Sequence, residues 1–241
     1  SATVSSSSIS SNHLENISVT DGSRLGLHKS QCSKNRHAAS AGLKVVSKGS
    51  SVCARHCRFC SNTGNGITVG GTWGSPRLGE VELQGCVCDD NKGSGLVLLN
   101  CRGAKITAKE SSISKNLQSN VTVVKGGHPV LEDSRCDGSK GAMGLCVSDK
   151  GSCATANACS LSRNYSDCVR SVLCGKVELL HSQCNNSVTG FGWAASNRWT
   201  VTVGHGCTAD GNQRGQCYQV RGGKVVSASE SQSAGACCLL M

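Results

Sequence analysis

The fold of this chain is decided between Glu80 and Gly127, where two blocks of equal length follow each other without a break. They read EVELQGCVCDDNKGSGLVLLNCRG (80–103) and AKITAKESSISKNLQSNVTVVKGG (104–127). The same frame of 24 residues continues, and its six blocks begin at Glu80, Ala104, His128, Ser152, Lys176 and Thr200. A period of this length is typical of a solenoid, in which each unit buries its apolar positions against its neighbours.

Glycine and asparagine recur at fixed places in these blocks. The closing position holds Gly79, Gly103, Gly127, Gly151, Gly175 and Gly223, with Trp199 as the exception. An Asn followed after three residues by a small and then an apolar residue recurs at Asn62…Gly66-Ile67, Asn91…Gly95-Leu96, Asn116…Asn120-Val121, Asn164…Cys168-Val169 and Asn186…Gly190-Phe191. We expect the glycines to supply turns with positive φ, and the asparagines to hydrogen-bond backbone within a turn.

The composition favours a narrow, elongated molecule over a compact globule. Only 3% of the 241 residues are aromatic, whereas 30 are glycine. A globule of this size normally fills its core with more large aromatic side chains. We therefore predict a single domain over residues 1–241, as a segment of a longer chain, with a loop insertion at 72–77.

Short strands are predicted twice in each block. Block starts alternate apolar and polar residues, as in Val81-Glu82-Leu83, and a second apolar strand follows the Asn signature, as in Val121-Thr122-Val123. Alternation with period two indicates strands with one buried face, and nothing sustains a helical stripe. Short strands that recur every 24 residues predict an all-β parallel β-helix of about ten rungs.

The pattern Cys/Ile-x-x-Asn-x3-Gly-Ile-x-Val, followed by Gly and another Val strand, resembles the right-handed parallel β-helix repeats of the pectin-lyase-like superfamily. It is similar to the carbohydrate-binding and sugar-hydrolase repeats of that superfamily, and the resemblance covers nearly the whole chain. It implies a single-stranded right-handed solenoid. It does not decide the activity, since the same repeat serves enzymes, sugar binders and protein scaffolds.

The chain contains 18 cysteines, and many recur with the repeat. In the 24-residue frame Cys88, Cys136 and Cys184 share a column with Ser112, Ser160 and Thr208. Such interchange predicts a small buried side chain, because free Cys behaves as a small hydrophobe. We expect mostly reduced structural thiols and an intracellular location, with a secreted, disulfide-bonded form as the alternative.

Two motifs invite a polysaccharide-cleaving function, and their spacing argues against it. Asp89-Asp90 and Gly204-His205-Gly206 are similar to polygalacturonase motifs. Roughly five rungs separate them, which at about 4.8 Å each places them about 20 Å or more apart. A general acid must lie within hydrogen-bonding reach of its proton, so the two motifs cannot cooperate. We therefore assign no catalytic residue and expect a non-enzymatic chain.

A third motif, Cys53-x3-Cys57-x2-Cys60, is similar to the iron–sulfur motif of radical-SAM enzymes. That motif needs a loop on which three thiolates converge, whereas here the cysteines sit in an ordinary rung. With His56 they offer a minor alternative, a zinc site. Our main expectation is no cofactor and no metal.

Basic residues near the turn that ends each rung are the best functional signal, within a net charge of +10. The candidate binding residues are Lys48, Trp73, Arg77, Arg102, Lys125, Lys150, Arg198 and Arg221. A second basic set, which includes Lys34 and Arg58, tracks the turn before the Asn signature. Like charges stacked one rung apart repel unless an anion lies along them.

The expected partner is a protein with an acidic surface in a larger assembly. The alternative is a carbohydrate-binding or carbohydrate-active β-helix, a lyase, hydrolase or epimerase acting on an anionic glycan. Only Trp73, Trp193, Trp199 and Tyr218 offer aromatic platforms. This scarcity disfavours single-stranded nucleic acid and weakens the glycan alternative.

Overall fold

The computed structural model describes residues 1–70, 80–101, 104–197, 199–228 and 238–239, and it contains two long parallel sheets. The strands of the first sheet are β1 (Ala2–Ser5), β4 (Arg24–His28), β7 (Ser51–Arg55), β9 (Glu80–Gln84), β11 (Lys105–Lys109), β13 (Pro129–Glu132), β15 (Cys153–Asn157), β17 (Lys176–Leu180), β19 (Val201–His205) and β21 (Lys224–Ala228).

The second sheet is built from the alternate strands of the chain. Its members are β3 (Ile17–Val19), β6 (Ala41–Val45), β8 (Asn65–Gly70), β10 (Leu96–Leu99), β12 (Val121–Val124), β14 (Leu145–Ser148), β16 (Val169–Val172), β18 (Trp193–Ser196), β20 (Cys217–Val220) and β22 (Cys238–Leu239). A third side, the bridge ladder, begins with β2 (Ser8–Ser10) and β5 (Gln31–Ser33) and continues as single bridges from Arg58 to Thr208.

These three sides confirm the predicted all-β, right-handed parallel β-helix. Rung 1 holds β1 to β3, rung 2 holds β4 to β6, and each later rung holds one strand of each long sheet, so that β21 and β22 belong to rung 10. Nine steps of about 4.8 Å give a rod of roughly 43 Å. Within the described ranges no helix is long and apolar enough to cross a membrane. The 72–77 insertion lies outside those ranges.

The repeat is not a uniform 24 residues, because longer and shorter steps alternate along the first sheet. In the first sheet Val81 pairs with Ile106, 25 residues on, and Ile106 pairs with Pro129, 23 residues on. From Val121 onward the second sheet keeps a step of 24 residues, as in Leu145 with Val169. The turns on either side of the first sheet and the bridge ladder therefore alternate in length, and the structural unit is a pair of rungs.

Core side chains alternate in size with the same two-rung period. The inward column of the first sheet contains Leu27, Ala54, Leu83, Ala108, Leu131, Ala156, Leu179 and Gly204. The inward column behind the bridge ladder contains Cys32, Phe59, Cys88, Ile113, Cys136, Leu161, Cys184 and Ala209. Each rung from 2 to 8 thus pairs Leu with Cys, or Ala with a larger side chain, which keeps the core volume per rung nearly constant.

Rung 9 has small residues in both columns, and a neighbouring rung fills the space. Trp193 of rung 8 is only 4% exposed. A Cβ on Gly204 would lie 2.5 Å from the Cη2 atom of Trp193. The indole therefore occupies the volume that Gly204 and Ala209 leave.

The predicted column of Cys88, Cys136 and Cys184 with Ser112, Ser160 and Thr208 is wrong by one residue. The bridges align those Ser and Thr positions with Val87, Arg135 and Gln183 instead. The error arises because a uniform 24-residue frame averages the alternating steps of 25 and 23 residues. The cysteines themselves are buried among aliphatic side chains, as small hydrophobes.

Cysteine and serine do interchange in a different column, one residue before the bridges. It contains Ser30, Cys57, Cys86, Ser111, Ser134, Cys159, Ser182 and Cys207. Each side chain donates to the carbonyl two residues earlier, as Ser111 Oγ does to Lys109 (2.8 Å) and Cys159 Sγ does to Asn157 (3.2 Å). A hydroxyl of this column also accepts a backbone N–H from the preceding rung, as Ser182 Oγ does from Cys159 (3.0 Å).

The asparagines form a buried amide ladder along the rod. Each Nδ2 donates to the next Oδ1 at 3.0 to 3.2 Å through Asn16, Asn62, Asn91, Asn116, Asn120 and Asn164. Each acceptor also takes a backbone N–H of the turn, as Asn91 Oδ1 does from Asn62 (3.0 Å). The expectation of Asn-to-backbone bonds is confirmed, and the side-chain chain comes in addition. Asn186 lies outside this ladder, because Ser187 occupies the aligned position.

The small residue of the Asn signature is coupled to the next rung. A Cβ on Gly144 would lie 2.5 Å from Nδ2 of Asn164, so glycine makes room for the following amide. Where Asn120 replaces this glycine, its own amide fills the slot, and the following rung carries Ser139 in place of Asn. This space is therefore filled by a single amide, which comes either from an Asn at the position itself, as with Asn120, or from the Asn of the following rung, as with Gly144 and Asn164.

The closing glycines are needed mainly because neighbouring backbone lies too close for a side chain, and less because of their φ angles. Of the described members only Gly151 has a positive φ, at 85°. A Cβ on Gly223 would lie 2.5 Å from the carbonyl oxygen of Ala195. The prediction of positive φ throughout this column is therefore wrong, since neighbouring backbone excludes a side chain there.

The amide slot gives a stability test at glycine. Gly144→Ala should lower the free energy of unfolding by about 1–3 kcal/mol, because the methyl group overlaps the Asn164 amide and the Cys168 carbonyl. Gly26→Ala is the matched control, since its nearest neighbour, Thr3 Oγ1, is 3.6 Å away. Urea unfolding measures both, and equal effects would contradict the slot.

The two cysteine environments give a second test. Cys136→Ser should cost about 1–3 kcal/mol, because it buries a hydroxyl between Ile113 and Leu161. Cys159→Ser should cost less than about 0.5 kcal/mol, because Ser111, Ser134 and Ser182 already occupy that column with satisfied hydroxyls. Thermal unfolding of the two variants checks the difference, and a more harmful change at Cys159 would refute the assignment.

Candidate functional site

The predicted basic turn residues do not form one continuous line. Trp73, Arg77, Arg102 and Arg198 lie outside the described residues. Lys48 ends rung 2 and Arg221 ends rung 9. Among the described members only Lys125 and Lys150 lie on neighbouring rungs, where the first is half-buried and the second exposed.

The predicted aromatic platforms differ in exposure. Trp193 is wrong as a platform, because it is buried against Gly204. Tyr218 stacks on Phe191 with ring centroids 4.7 Å apart. Trp199 is 77% exposed and is the most open large apolar side chain of the described residues.

The cysteines of the minor zinc alternative point in different directions. Cys53 lies on the outer face of the first sheet, 3.8 Å from Glu82 Oε2. Cys57 and Cys60 are buried and bond to the carbonyls of Arg55 and Val87. In the part of the chain that the structure describes, no three His, Cys, Asp or Glu side chains are grouped to hold a metal ion.

The aspartates of the bridge-ladder side have structural roles. Asp89 Oδ1 accepts from Ser114 N at 2.7 Å and from Ser112 Oγ at 3.0 Å. Asp137 repeats this arrangement with Ser162 N and Ser160 Oγ, both at 2.7 Å. Burial raises the pKa of Asp89, but its oxygens are engaged by the next rung, and His205 lies on rung 9.

Two glutamates on the outer face of the first sheet were not singled out from the sequence. Glu80 and Glu82 share strand β9 and border a shallow depression of about 350 Å³. Glu80 Oε1 lies 3.5 Å from Lys105 Nζ, and Glu82 Oε1 lies 4.0 Å from Arg55 Nη2. Both are exposed and paired with cations, whereas a general acid needs surroundings that keep its proton near neutral pH.

The strongest electrostatic feature is a surface on rungs 2 and 3 that we call the N-terminal basic face, formed by Lys29, Lys34, Arg36 and Arg58. All four side chains are exposed, and none forms an ion pair within the described residues. Gly22 to Gly79 contains no Asp or Glu at all. That acid-free run is the sequence signal that could have located the face.

The same side of the rod is charge-balanced farther along. Lys140 Nζ lies 3.0 Å from Asp90 Oδ1, and Asp137 Oδ2 receives both Arg135 (3.4 Å) and Arg163 (3.6 Å). Rungs 2 and 3 contain no Asp or Glu, and Glu15 of rung 1 pairs with Lys44 (2.8 Å), so unneutralised positive charge is concentrated near the N-terminal end.

Residues 1–135 match the family model described as a right handed beta helix region. The chain belongs to this right-handed β-helix family. No curated protein matches the chain. No solved structure matches it either.

The matched region covers more than half of the β-helix and includes the whole N-terminal basic face. The remaining rungs continue the same sheets in register, so the β-helix architecture extends beyond the matched residues. Because β-helices host many unrelated activities, family membership determines the architecture but not the function. The function depends on the surface residues.

Proposed function

We propose that this β-helix is a non-enzymatic scaffold or interaction module that docks on an acidic partner protein in a larger assembly. The observation that supports this is the acid-free run from Gly22 to Gly79, which leaves Lys29, Lys34, Arg36 and Arg58 exposed without ion pairs among the described residues. We place the docking contact on this N-terminal basic face.

The solenoid fixes these charges before any partner arrives. Lys29 N bonds to the Arg55 carbonyl (3.0 Å) and Arg58 N to the Ser30 carbonyl (2.9 Å), so neighbouring rungs are held at the strand spacing of about 4.8 Å. Like charges grouped on neighbouring rungs repel one another, because physiological salt screens them only over about 8 Å. An acidic surface that binds here relieves that repulsion and adds attraction.

An anionic glycan remains the alternative partner. It would use the same cations, but it would gain little stacking, because the aromatic residue nearest in sequence, Phe59, is fully buried. Aromatic faces are a common contact for sugars and bases, so their scarcity on this face favours a protein partner.

Charge reversal tests the docking face. We expect the Lys34→Glu/Arg58→Glu double variant to bind a fluorescein-labelled 20-residue oligoglutamate at least about tenfold more weakly than the parent chain, a loss of about 1.4 kcal/mol. Both side chains are exposed, so the fold should persist, which circular dichroism checks. Fluorescence anisotropy at 150 mM salt gives the affinities.

The matched control is Arg214→Glu/Lys224→Glu, which changes net charge equally on rungs 9 and 10. It should change affinity less than about twofold, because those charges are screened from the basic face. Equal losses of affinity in both variants would contradict the docking face, because binding would then depend on net charge and not on the position of the cations. Tighter binding or cleavage of polygalacturonate would favour the glycan alternative.

We also propose an intracellular, reducing setting, with secretion as the alternative. Burial raises the pKa of Cys32 and Cys168 to about 12 and that of Cys101 to about 11. Such thiols stay protonated at neutral pH, and the thiol is far less reactive than the thiolate. The protein therefore tolerates many cysteines without needing them as cross-links.

Thiol titration of the protein isolated from its source cells tests this setting. Alkylation in denaturant should find most of the 18 cysteines free, and the native fold should protect the core thiols from the same reagent. Fewer than about half free in denaturant would instead place the protein in an oxidising compartment.

A further inference from the structure

A hollow lies on the side of the rod where chain passes from the second sheet to the first. Strands β14 and β15 are joined by four residues (149–152), β16 and β17 by three (173–175), and β18 and β19 by four (197–200). The short connection thus lies between two longer ones. The hollow, of about 650 Å³, is lined from both long connections by Lys150 and Trp199, with Cys174 from the short one.

Trp199 occupies a left-handed backbone position that holds glycine in two comparable turns and Cys174 (φ 71°) in the neighbouring one. The equivalent four-residue turns read Ser47-Lys48-Gly49-Ser50 and Asp149-Lys150-Gly151-Ser152. Gly49 and Gly151 have φ of 77° and 85°, and Trp199 has 68°. All three turns are closed by the same hydrogen bond, from Thr200 N to the Asn197 carbonyl (3.4 Å) in the tryptophan case. A bulky residue in the left-handed region is strained, and such strain clusters at functional sites.

The strain at Trp199 gains nothing from burial, because the indole is 77% exposed. A large aromatic held open on a rigid ridge is the usual anchor of a protein contact. Folding alone would favour glycine at this position, as it does in the two equivalent turns. An indole exposed in this way is the kind of side chain that anchors a partner.

The chemistry of the hollow defines the occupant. Its walls are mainly apolar, with Cys153 and Cys174 beside the indole, while Lys150 and Lys176 add positive charge. Among the described residues that line it there is no carboxylate, although Asp149 and Glu178 lie near in the sequence. The hollow is open to solvent, as a groove for a chain segment is.

We propose that this hollow docks an acidic peptide segment of a partner protein, which places a large apolar side chain against Trp199 and its carboxylates near Lys150 and Lys176. The hollow spans rungs 6 to 8 and shares no residue with the N-terminal basic face. It is a second docking surface and does not rest on the function proposed above.

The test uses the full chain and two labelled peptides, acetyl-Asp-Glu-Leu-Phe-Asp-Glu-amide and its Ser-Ser version without the apolar pair. The ratio of their affinities isolates the apolar contact from general attraction of acids. We expect a ratio of at least about tenfold in the parent chain and near one in Trp199→Gly, whereas Lys150→Glu/Lys176→Glu should weaken the binding of both peptides at least about tenfold. Lys34→Glu/Arg58→Glu and Tyr165→Ala should retain the parent ratio, because both act at exposed sites elsewhere.

Stability separates a binding role from a structural one. Trp199→Gly should raise the melting temperature by about 2 to 4 °C, since it relieves left-handed strain, while it abolishes the affinity ratio. A ratio near one in the parent chain, a ratio unchanged in Trp199→Gly, or a lower melting temperature for that variant would each overturn the proposal. If the parent chain failed to bind oligoglutamate while the peptide ratio stayed intact, only the proposal for the N-terminal basic face would be contradicted.

Discussion

The structure depends on one constraint: a polar group buried inside a rung finds its partner mainly in the next rung. The amide ladder from Asn16 to Asn164 meets this constraint where the chain turns away from the bridge ladder. Each amide satisfies a backbone N–H as well as its neighbour, and unmade buried hydrogen bonds are costly. The hydroxyl and thiol column before the bridges does the same at the other turn. The rungs are therefore held in one register, and sliding by a residue would break both ladders at once.

Constant core volume is the second consequence of stacking. A rung with a large residue in the first sheet carries cysteine behind the bridge ladder, as in Leu131 with Cys136, and the next rung reverses the order with Ala156 and Leu161. Packed interiors tolerate neither voids nor extra methylene groups, so a column cannot change size without its counterpart. The result is a rigid rod, and surface groups keep their spacing whether or not a partner is bound.

Both proposed binding surfaces are places where the surface departs from the repeat. Farther along the bridge-ladder side, Asp90 and Asp137 pair with Lys140, Arg135 and Arg163, whereas the N-terminal basic face has cations alone. Glycine normally fills the left-handed position of a four-residue turn, but Trp199 stands there exposed. Departures from local consistency are expected at sites that serve binding, because folding by itself would remove them. The two surfaces lie at different rungs, which suits a scaffold with more than one contact.

The sequence by itself determined the parallel β-helix, the strand positions and the structural nature of most cysteines and asparagines, because these follow from the period of the repeat. It misassigned the column of Cys88 and Cys136, because steps of 25 and 23 residues average to the observed period. It also misassigned the exposure of Trp193, because the space beside Gly204 that the indole fills is visible only across rungs. Only the tertiary structure decided which side chains are neighbours across rungs. The basic face and the hollow beside Trp199 needed it too, since both bring together residues that lie a rung apart in the chain.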